Sequence, residues 1–169
     1  MSFQKIDIQD LQMNPFTKIG QEWMLISAGN QTKVNTMTAS WGGVGVLWGQ
    51  NIVSAYIRPQ RYTKEFVDQQ DCFSLSFFNG NYKKELGILG SVSGRDQDKI
   101  HDVDFHVTYL ENVPTFEEAE LVFIVEKIYE DTIQPENFKE ATLDEKWYPQ
   151  EDYHTVYIAK IKSVYVKKA

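Results

Sequence analysis

Residues 121–125 read LVFIV, a run in which every side chain is apolar. Half-exposed strands alternate apolar and polar residues, because successive side chains point to opposite faces of a sheet. A strand that is apolar at every position is therefore covered on both faces, as in a barrel wall that packs against a helix or a second subunit. This run predicts the centre of a β-structure and gives weak support for an oligomer.

Further strand-like stretches lie on both sides of this run and are rich in β-branched and aromatic residues. The predicted strands cover residues 23–28, 34–40, 52–57, 73–78, 105–110, 120–129 and 155–166. The sequence GGVGVLWG, residues 42–49, is interpreted as a hairpin or bulge, in which glycine supplies positive φ or lets another backbone come close.

Two short helices are predicted between the strands. Thr63 is a plausible N-cap of the first helix, with Phe66 and Val67 on its buried side, and the second begins near Asn81 and ends at Gly90. Regular strand–helix alternation is not seen, which argues against a doubly wound sheet. The pattern predicts a mainly β fold, a closed or partly closed β-barrel with short helices.

The length, the net charge and the counts of cysteine and histidine narrow the class of protein. A length of 169 residues predicts a single domain covering 1–169, and a net charge of −7 with a pI near 5.0 argues against a nucleic-acid partner. No apolar run is long enough to cross a bilayer, so we expect no membrane association and a cytoplasmic location. Cys72 is the only cysteine, and the three histidines have no metal-site spacing, so neither an internal disulfide nor a metal site is expected.

One segment has an unusual composition for a strand. Residues 35–43 read NTMTASWGG, in which small side chains are grouped and only Met37 and Trp41 are bulky. Small side chains leave the backbone accessible, so main-chain groups and the hydroxyls of Thr38 and Ser40 could bind the polar edges of a flat heteroaromatic ring. A barrel strand that faces a crowded neighbour explains the same composition.

Two further segments are suited to an anion. Residues 58–63, RPQRYT, bring two guanidinium groups and the hydroxyl of Thr63 to a helix N-terminus, the requirement for holding a phosphate monoester. Residues 93–99, SGRDQDK, form a glycine-containing turn with Arg95 and Lys99, which could close over an anionic ligand. A charged turn and a solvated loop are the alternative interpretations.

Four segments of the sequence are also similar to those of a known protein family. NTMTASWGG, SAYIRPQRYTKEFV, FSLSFF and KKELGILGSVSGRDQDK, in this order and spacing, resemble the flavin reductase-like family, especially its flavoredoxin branch. The resemblance covers about residues 26–99 and resumes near DYHTVYIAKI, residues 152–161. It implies an FMN-binding split β-barrel, working as a homodimer that binds FMN non-covalently near the subunit interface and takes electrons from NAD(P)H or a protein donor.

The resemblance further implies site residues, each at a matching position of this sequence. Those expected near the isoalloxazine ring are Asn35, Met37, Thr38, Ala39, Ser40, Trp41 and Ser54. Those expected at the ribityl phosphate are Arg58, Tyr62, Thr63, Gly94, Arg95, Asp96 and Lys99. His154 occupies the place of a family histidine near the flavin, but Asp152 and Tyr153 replace the Gly-Asp that precedes it in many members, so an ordinary buried histidine is an equal alternative.

Three functions fit these features. We expect an NAD(P)H-dependent flavoprotein reductase that passes electrons to free flavin, ferric chelates or a monooxygenase partner, with FMN supplying the redox chemistry. The alternatives are an electron carrier that shuttles electrons between protein partners, and a non-catalytic barrel that binds another aromatic phosphate or haem. The sequence does not distinguish NADH from NADPH, and it identifies no catalytic side chain beyond the candidate His154.

Overall fold

The computed structural model describes residues 2–168, and strands make up most of the regular structure. The strands are β1 (Phe3–Ile6), β2 (Met24–Gly29), β3 (Val34–Ala39), β4 (Gly42–Leu47), β5 (Gln50–Ile57), β6 (Cys72–Phe77), β7 (Val107–Leu110), β8 (Val113–Phe116), β9 (Leu121–Thr132) and β10 (Thr155–Lys167). The helices are α1 (Pro15–Thr17), α2 (Tyr62–Gln69), α3 (Lys83–Ser91), α4 (Lys99–Asp102) and α5 (Ala141–Trp147). The prediction of a mainly β fold with short helices is confirmed, and all seven predicted strands are present.

The main sheet is antiparallel, and its strand order brings its two ends together. The order is β3-β2-β6-β9-β10-β5-β4, while β7 and β8 form a separate hairpin. The terminal strands β3 and β4 are consecutive in the chain, joined only by Ser40 and Trp41. A sheet whose two ends are joined by two residues has to roll into a barrel around its apolar face.

The long strand β10 divides the sheet. Its residues 155–160 pair with β5, and its residues 164–167 pair with β1, while β9 runs along its other edge. The hairpin of β4 and β5 turns at Trp48 and Gly49, which both have positive φ, so the hairpin interpretation of residues 42–49 is confirmed.

The run 121–125 is buried on both faces, as predicted. Leu121, Phe123 and Val125 belong to the cluster inside the barrel, and Val122 and Ile124 belong to a second cluster outside it. The outer face is covered from the same chain by a helix and a hairpin, through Leu86, Leu89, Val113 and Phe116. The run therefore needs no second subunit to cover it, and its support for an oligomer is removed.

Helix α2 begins two residues earlier than the capping pattern suggested. Arg61 occupies the N-cap position without a side-chain capping bond, so the prediction that Thr63 is the N-cap is wrong. Thr63 lies inside the first turn, where its buried hydroxyl accepts a hydrogen bond from Asn35 Nδ2 at 2.8 Å. Phe66 and Val67 form the buried side of the helix as predicted. The start of α2 is thereby fastened to β3.

Helix α3 follows a single 3-10 turn at Gly80–Tyr82 and ends at Ser91, close to its predicted bounds. Its buried residues are Leu86 and Leu89. Across residues 2–168, the structure contains no helix with the length and hydropathy that a bilayer crossing requires.

Candidate functional site

Strand β3 presents an unpaired edge. It stands at the end of the strand order, so only β2 pairs with it. Main-chain N–H and C=O groups on its other edge have no strand partner and are available to a ligand. The side chains of Met37 and Ala39 pack into the barrel core, and the hydroxyl of Thr38 donates to Leu86 O at 2.5 Å. The polar groups that β3 offers are therefore mainly those of its backbone.

A cleft of 290 Å³ opens beside this edge and is called here the ring cleft. It is lined by Met37, Thr38, Ala39, Ser40, Trp41, Tyr56, Arg58, Arg61, Trp147 and His154. The cleft thus gathers five residues of the predicted segment 35–43 with Arg58 and His154. Ser54 is not among them, because it pairs with Gly43 and Ile158 farther along β5.

Aromatic rings form the mouth of the ring cleft. Trp41 packs edge-on against Trp147 with ring centroids 4.9 Å apart, and these side chains are 39% and 40% exposed. His154 lies 5.1 Å from Trp41, is 7% exposed and shares a 2.8 Å hydrogen bond between its Nδ1 and the Tyr148 hydroxyl. Burial, together with the positive charge of Arg58, lowers the pKa of His154 to about 4. His154 is therefore neutral near pH 7.

A second cavity, of 190 Å³, adjoins the ring cleft through Arg61 and is called here the anion corner. It is lined by Asn35, Gln60, Arg61, Tyr62, Thr63, Ser91, Val92, Ser93, Gly94 and Lys99. Five of the predicted site residues meet here, contributed by β3, α2, the loop after α3 and the first residue of α4. No aspartate or glutamate is among the lining residues.

In the anion corner, Lys99 and the Nη2 atom of Arg61 are buried, and no carboxylate is among the residues that line the cavity. Arg61 Nη1 donates to Gly90 O at 2.7 Å, while Nη2 is buried and has no partner within the described residues. Lys99 is 3% exposed, and its Nζ donates to Leu89 O at 2.7 Å and Val92 O at 3.0 Å. Burial and the neighbouring Arg61 lower the pKa of Lys99 to about 8, and burial lowers that of Arg61. Such a pair is stabilised by an anion.

Glycine is required at position 94 by close packing. A Cβ there would lie 2.2 Å from Asn35 Oδ1, whereas the amide nitrogen of the same side chain holds Thr63. The loop after α3 can approach β3 this closely only because residue 94 lacks a side chain.

The remaining predicted phosphate residues lie outside the anion corner. Arg95 stacks over the Tyr62 ring, 4.6 Å from its centroid, and pairs with Glu65, and Asp96 is exposed. Both line a neighbouring polar depression of 400 Å³. Arg58 lines the ring cleft instead.

Of the residues that line the ring cleft, Tyr56 and Trp147 were not identified from the sequence, and Arg61 was identified only as one of the two guanidinium groups of residues 58–63. Tyr56 could have been found, because it lies in β5 two positions before Arg58, and strand alternation directs side chains two positions apart to the same face. Arg61 lies beyond the end of β5, where strand alternation no longer determines the direction of a side chain. Trp147 comes from a helix 89 positions away from Arg58, and no local pattern connects the two.

Comparison with known proteins gives structural matches only. No protein-family model and no curated protein sequence matches the chain. A flavoredoxin from Methanosarcina acetivorans is 21% identical with a TM-score of 0.66, over 87% of this chain and 69% of that one. An FMN-binding domain of flavin reductases-like enzyme from Shewanella baltica is 15% identical with a TM-score of 0.70, over 98% and 77%. The styrene monooxygenase flavin reductase of Pseudomonas putida is 18% identical with a TM-score of 0.62, over 88% and 80%.

These matches establish the fold. The chain has the split-barrel fold of flavoredoxins and flavin reductase-like proteins, as its sequence resemblance predicted.

Proposed function

We propose that this chain is an FMN-binding flavoprotein oxidoreductase, with the isoalloxazine ring in the ring cleft and the phosphate in the anion corner. One observation carries the proposal. Lys99 and the Nη2 atom of Arg61 are buried beside a cavity whose lining residues include no carboxylate, and this cavity adjoins the unpaired edge of β3. A phosphate monoester attached to a flat polar ring matches both halves of this arrangement.

The residues present fit the phosphate. Arg61 Nη2 and the remaining N–H of Lys99 would donate to phosphate oxygens, and the Thr63 hydroxyl lines the same space. Backbone N–H groups of the turn at 91–94 would add further donors. FMN, when bound, supplies hydride and electron transfer. The chain would bind it through the anion corner and hold the ring beside the edge of β3, with Trp41 at the mouth of the cleft.

The proposed electron donor is NAD(P)H. The rings of Trp41 and Trp147 offer an aromatic surface at the mouth of the cleft, where a nicotinamide could stack. His154, neutral near pH 7, would act there as a hydrogen-bonding group and not as a charged acid. The donor is tested by steady-state oxidation of NADH and of NADPH with added FMN.

An electron carrier is the second candidate, because two of the matched structures are described as flavoredoxins. A carrier with tightly bound FMN would show negligible NAD(P)H oxidation without its donor protein. A reductase would turn over with NAD(P)H and free flavin alone.

We also propose a homodimer. The hairpin of β4 and β5 exposes Val46, Leu47 and Trp48, which are large apolar side chains of the kind buried in subunit interfaces. Sedimentation should give twice the monomer mass for the wild type, and Trp48→Glu should shift it toward the monomer. A wild-type protein that sediments as a monomer at all concentrations would exclude this assembly.

The deciding experiment compares FMN with riboflavin, which has the same ring without the phosphate. Freshly purified protein should carry a flavin absorption spectrum or acquire it when FMN is added and the sample is dialysed. Riboflavin should bind roughly 10- to 100-fold more weakly than FMN, since charge-assisted hydrogen bonds contribute about 1.5–3 kcal/mol each. Equal affinities would reject the assignment of the anion corner, and a protein that stays colourless would reject the function.

A further inference from the structure

Arg58 and Arg61 lie three positions apart, yet their guanidinium groups have opposite environments. Arg61 leaves Nη2 buried and unpaired. Arg58 uses both terminal nitrogens within the protein, since Nη1 forms a 2.5 Å ion pair with Asp152 and Nη2 donates to Trp147 O at 2.7 Å. A guanidinium that is already bound at both ends has little capacity left for a phosphate.

Further contacts join the same two parts of the chain. Gln60 Nε2 donates to the Asp152 carboxylate at 2.6 Å, and the Arg58 guanidinium stacks over the Tyr148 ring at 5.1 Å. The Tyr148 hydroxyl in turn bonds to His154 in the ring cleft. The end of β5 and the turn after it thereby hold residues 147–152 through polar and stacking contacts.

Residues 141–152 have few apolar contacts of their own. Helix α5 contains no buried residue, and Leu143 and Trp147 are among the most exposed large apolar side chains. Tyr148 is the one buried apolar side chain of this segment. Segments with few buried apolar contacts open locally at a small cost in free energy. The contacts of Arg58 are therefore a large part of what keeps the segment in place.

We propose that residues 141–152 form a lid over the ring cleft and that Arg58 is the positioning residue that latches the lid through Trp147, Tyr148 and Asp152. The lid holds Trp147 against Trp41, so its position sets the width of the space through which a second aromatic substrate reaches the ring. The effect on turnover rests on the proposed function. The latch itself is a property of the protein without cofactor.

The latch is tested on cofactor-free protein by amide hydrogen exchange of peptides covering residues 141–152. Arg58→Ala should raise exchange there by about tenfold or more, since exchange reports the free energy of local opening. Asp152→Asn, which removes the carboxylate but keeps its shape, should give a smaller increase. Arg61→Ala is the matched control and should leave exchange of the lid unchanged.

The second measurement compares how Arg58 and Arg61 affect two different ligands, FMN and the nicotinamide donor. Arg58→Ala should change the Kd for FMN by less than about threefold but raise KM for the nicotinamide donor by about fivefold or more. Arg61→Ala, in contrast, should weaken FMN binding by roughly 10- to 100-fold. The inference is overturned if Arg58→Ala leaves lid exchange unchanged, or if it weakens FMN binding as much as Arg61→Ala.

The latch can still be tested if the protein binds no FMN or if Arg58→Ala does not fold. If wild-type protein binds no FMN, the proposed function fails, while hydrogen exchange still decides whether Arg58 latches the lid. If Arg58→Ala does not fold, Asp152→Ala breaks the same ion pair from the lid side. Lid exchange in that variant then supports or overturns the latch by the same criterion.

Discussion

The anion corner and the lid meet at the ring cleft but are stabilised in opposite ways. The corner is built from β3, the start of α2, the loop after α3 and the first residue of α4. It buries Lys99 and the Nη2 atom of Arg61, and no carboxylate is among its lining residues. The lid has little buried apolar surface, yet Arg58 and Asp152 neutralise each other there. An unmatched buried charge indicates a place for a ligand, whereas a matched pair indicates internal structure.

The difference has an energetic consequence. A buried polar group without a partner costs about 1–3 kcal/mol, so the corner is destabilised until an anion enters it. Ligand binding to the folded state offsets this cost and raises the temperature of unfolding with ligand concentration. The lid should gain no such stabilisation from phosphate, because Arg58, the cation that contacts it, is already paired with Asp152.

The largest expected effect comes from placing a carboxylate in the corner. Asn35→Asp keeps the shape of the side chain but adds a negative charge next to the phosphate site, so FMN affinity should fall by roughly 100-fold through like-charge repulsion and a lost donor. Fluorescence titration with FMN measures it. Asn137→Asp, an exposed position in the turn Pro135–Asn137, adds the same charge elsewhere and should bind FMN normally. Normal affinity in Asn35→Asp would remove the distinction between the two regions.

The next effect is a pH dependence specific to the corner. The pKa of Lys99 is lowered to about 8, so near pH 7 the side chain is mostly charged and FMN affinity should change little with pH. Above it, binding must take up a proton, and affinity should fall by up to about tenfold per pH unit. Kd values between pH 7 and 9.5 test this. Lys99→Met should bind FMN more weakly and lose the dependence, and a wild-type Kd that is constant to pH 9.5 would contradict the assignment.

A smaller effect is expected from the packing at Gly94. The Cβ of Gly94→Ala would displace Asn35 and weaken its bond to Thr63, so FMN affinity should fall by roughly three- to tenfold. Gly87→Ala is the control, since a Cβ at position 87 of α3 meets open space. That change should leave FMN binding intact and stabilise the protein by about 0.5–1 kcal/mol in thermal unfolding. Equal FMN affinity in both variants would show that the corner tolerates displacement of Asn35.

The smallest expected effect concerns His154 at the mouth of the ring cleft, which should not titrate near neutral pH. With its pKa lowered to about 4, His154 should show no change in its ring proton resonances between pH 8 and 5.5. His106, whose pKa is raised by its hydrogen bond to Glu118, is the reference and should titrate with a midpoint above that of an ordinary histidine. His154→Gln identifies the resonance. A midpoint near 6.5 for His154 would mean that the lid does not bury it.

Local pattern accounts for most of the strands and for the segments that form the site. Alternation and β-branched content located seven strands, and the fully apolar run 121–125 correctly predicted burial on two faces. The glycine-containing segment 93–99 and the segments 35–43 and 58–63 were recognised as candidates, and residues from all three line the anion corner or the ring cleft. These features follow from composition and period, which are readable within a few residues.

The sequence by itself therefore determined a β-barrel, its buried strands and the segments that supply the site. Only the tertiary structure decided that Arg61 stays unpaired in the corner while Arg58 pairs with Asp152, and that a helix and a hairpin of the same chain cover residues 121–125. The physical reason is the distance along the chain between the residues that interact. Side-chain alternation depends on neighbouring residues, whereas the partner of a charge depends on contacts such as that of Arg58 with Trp147, 89 positions apart.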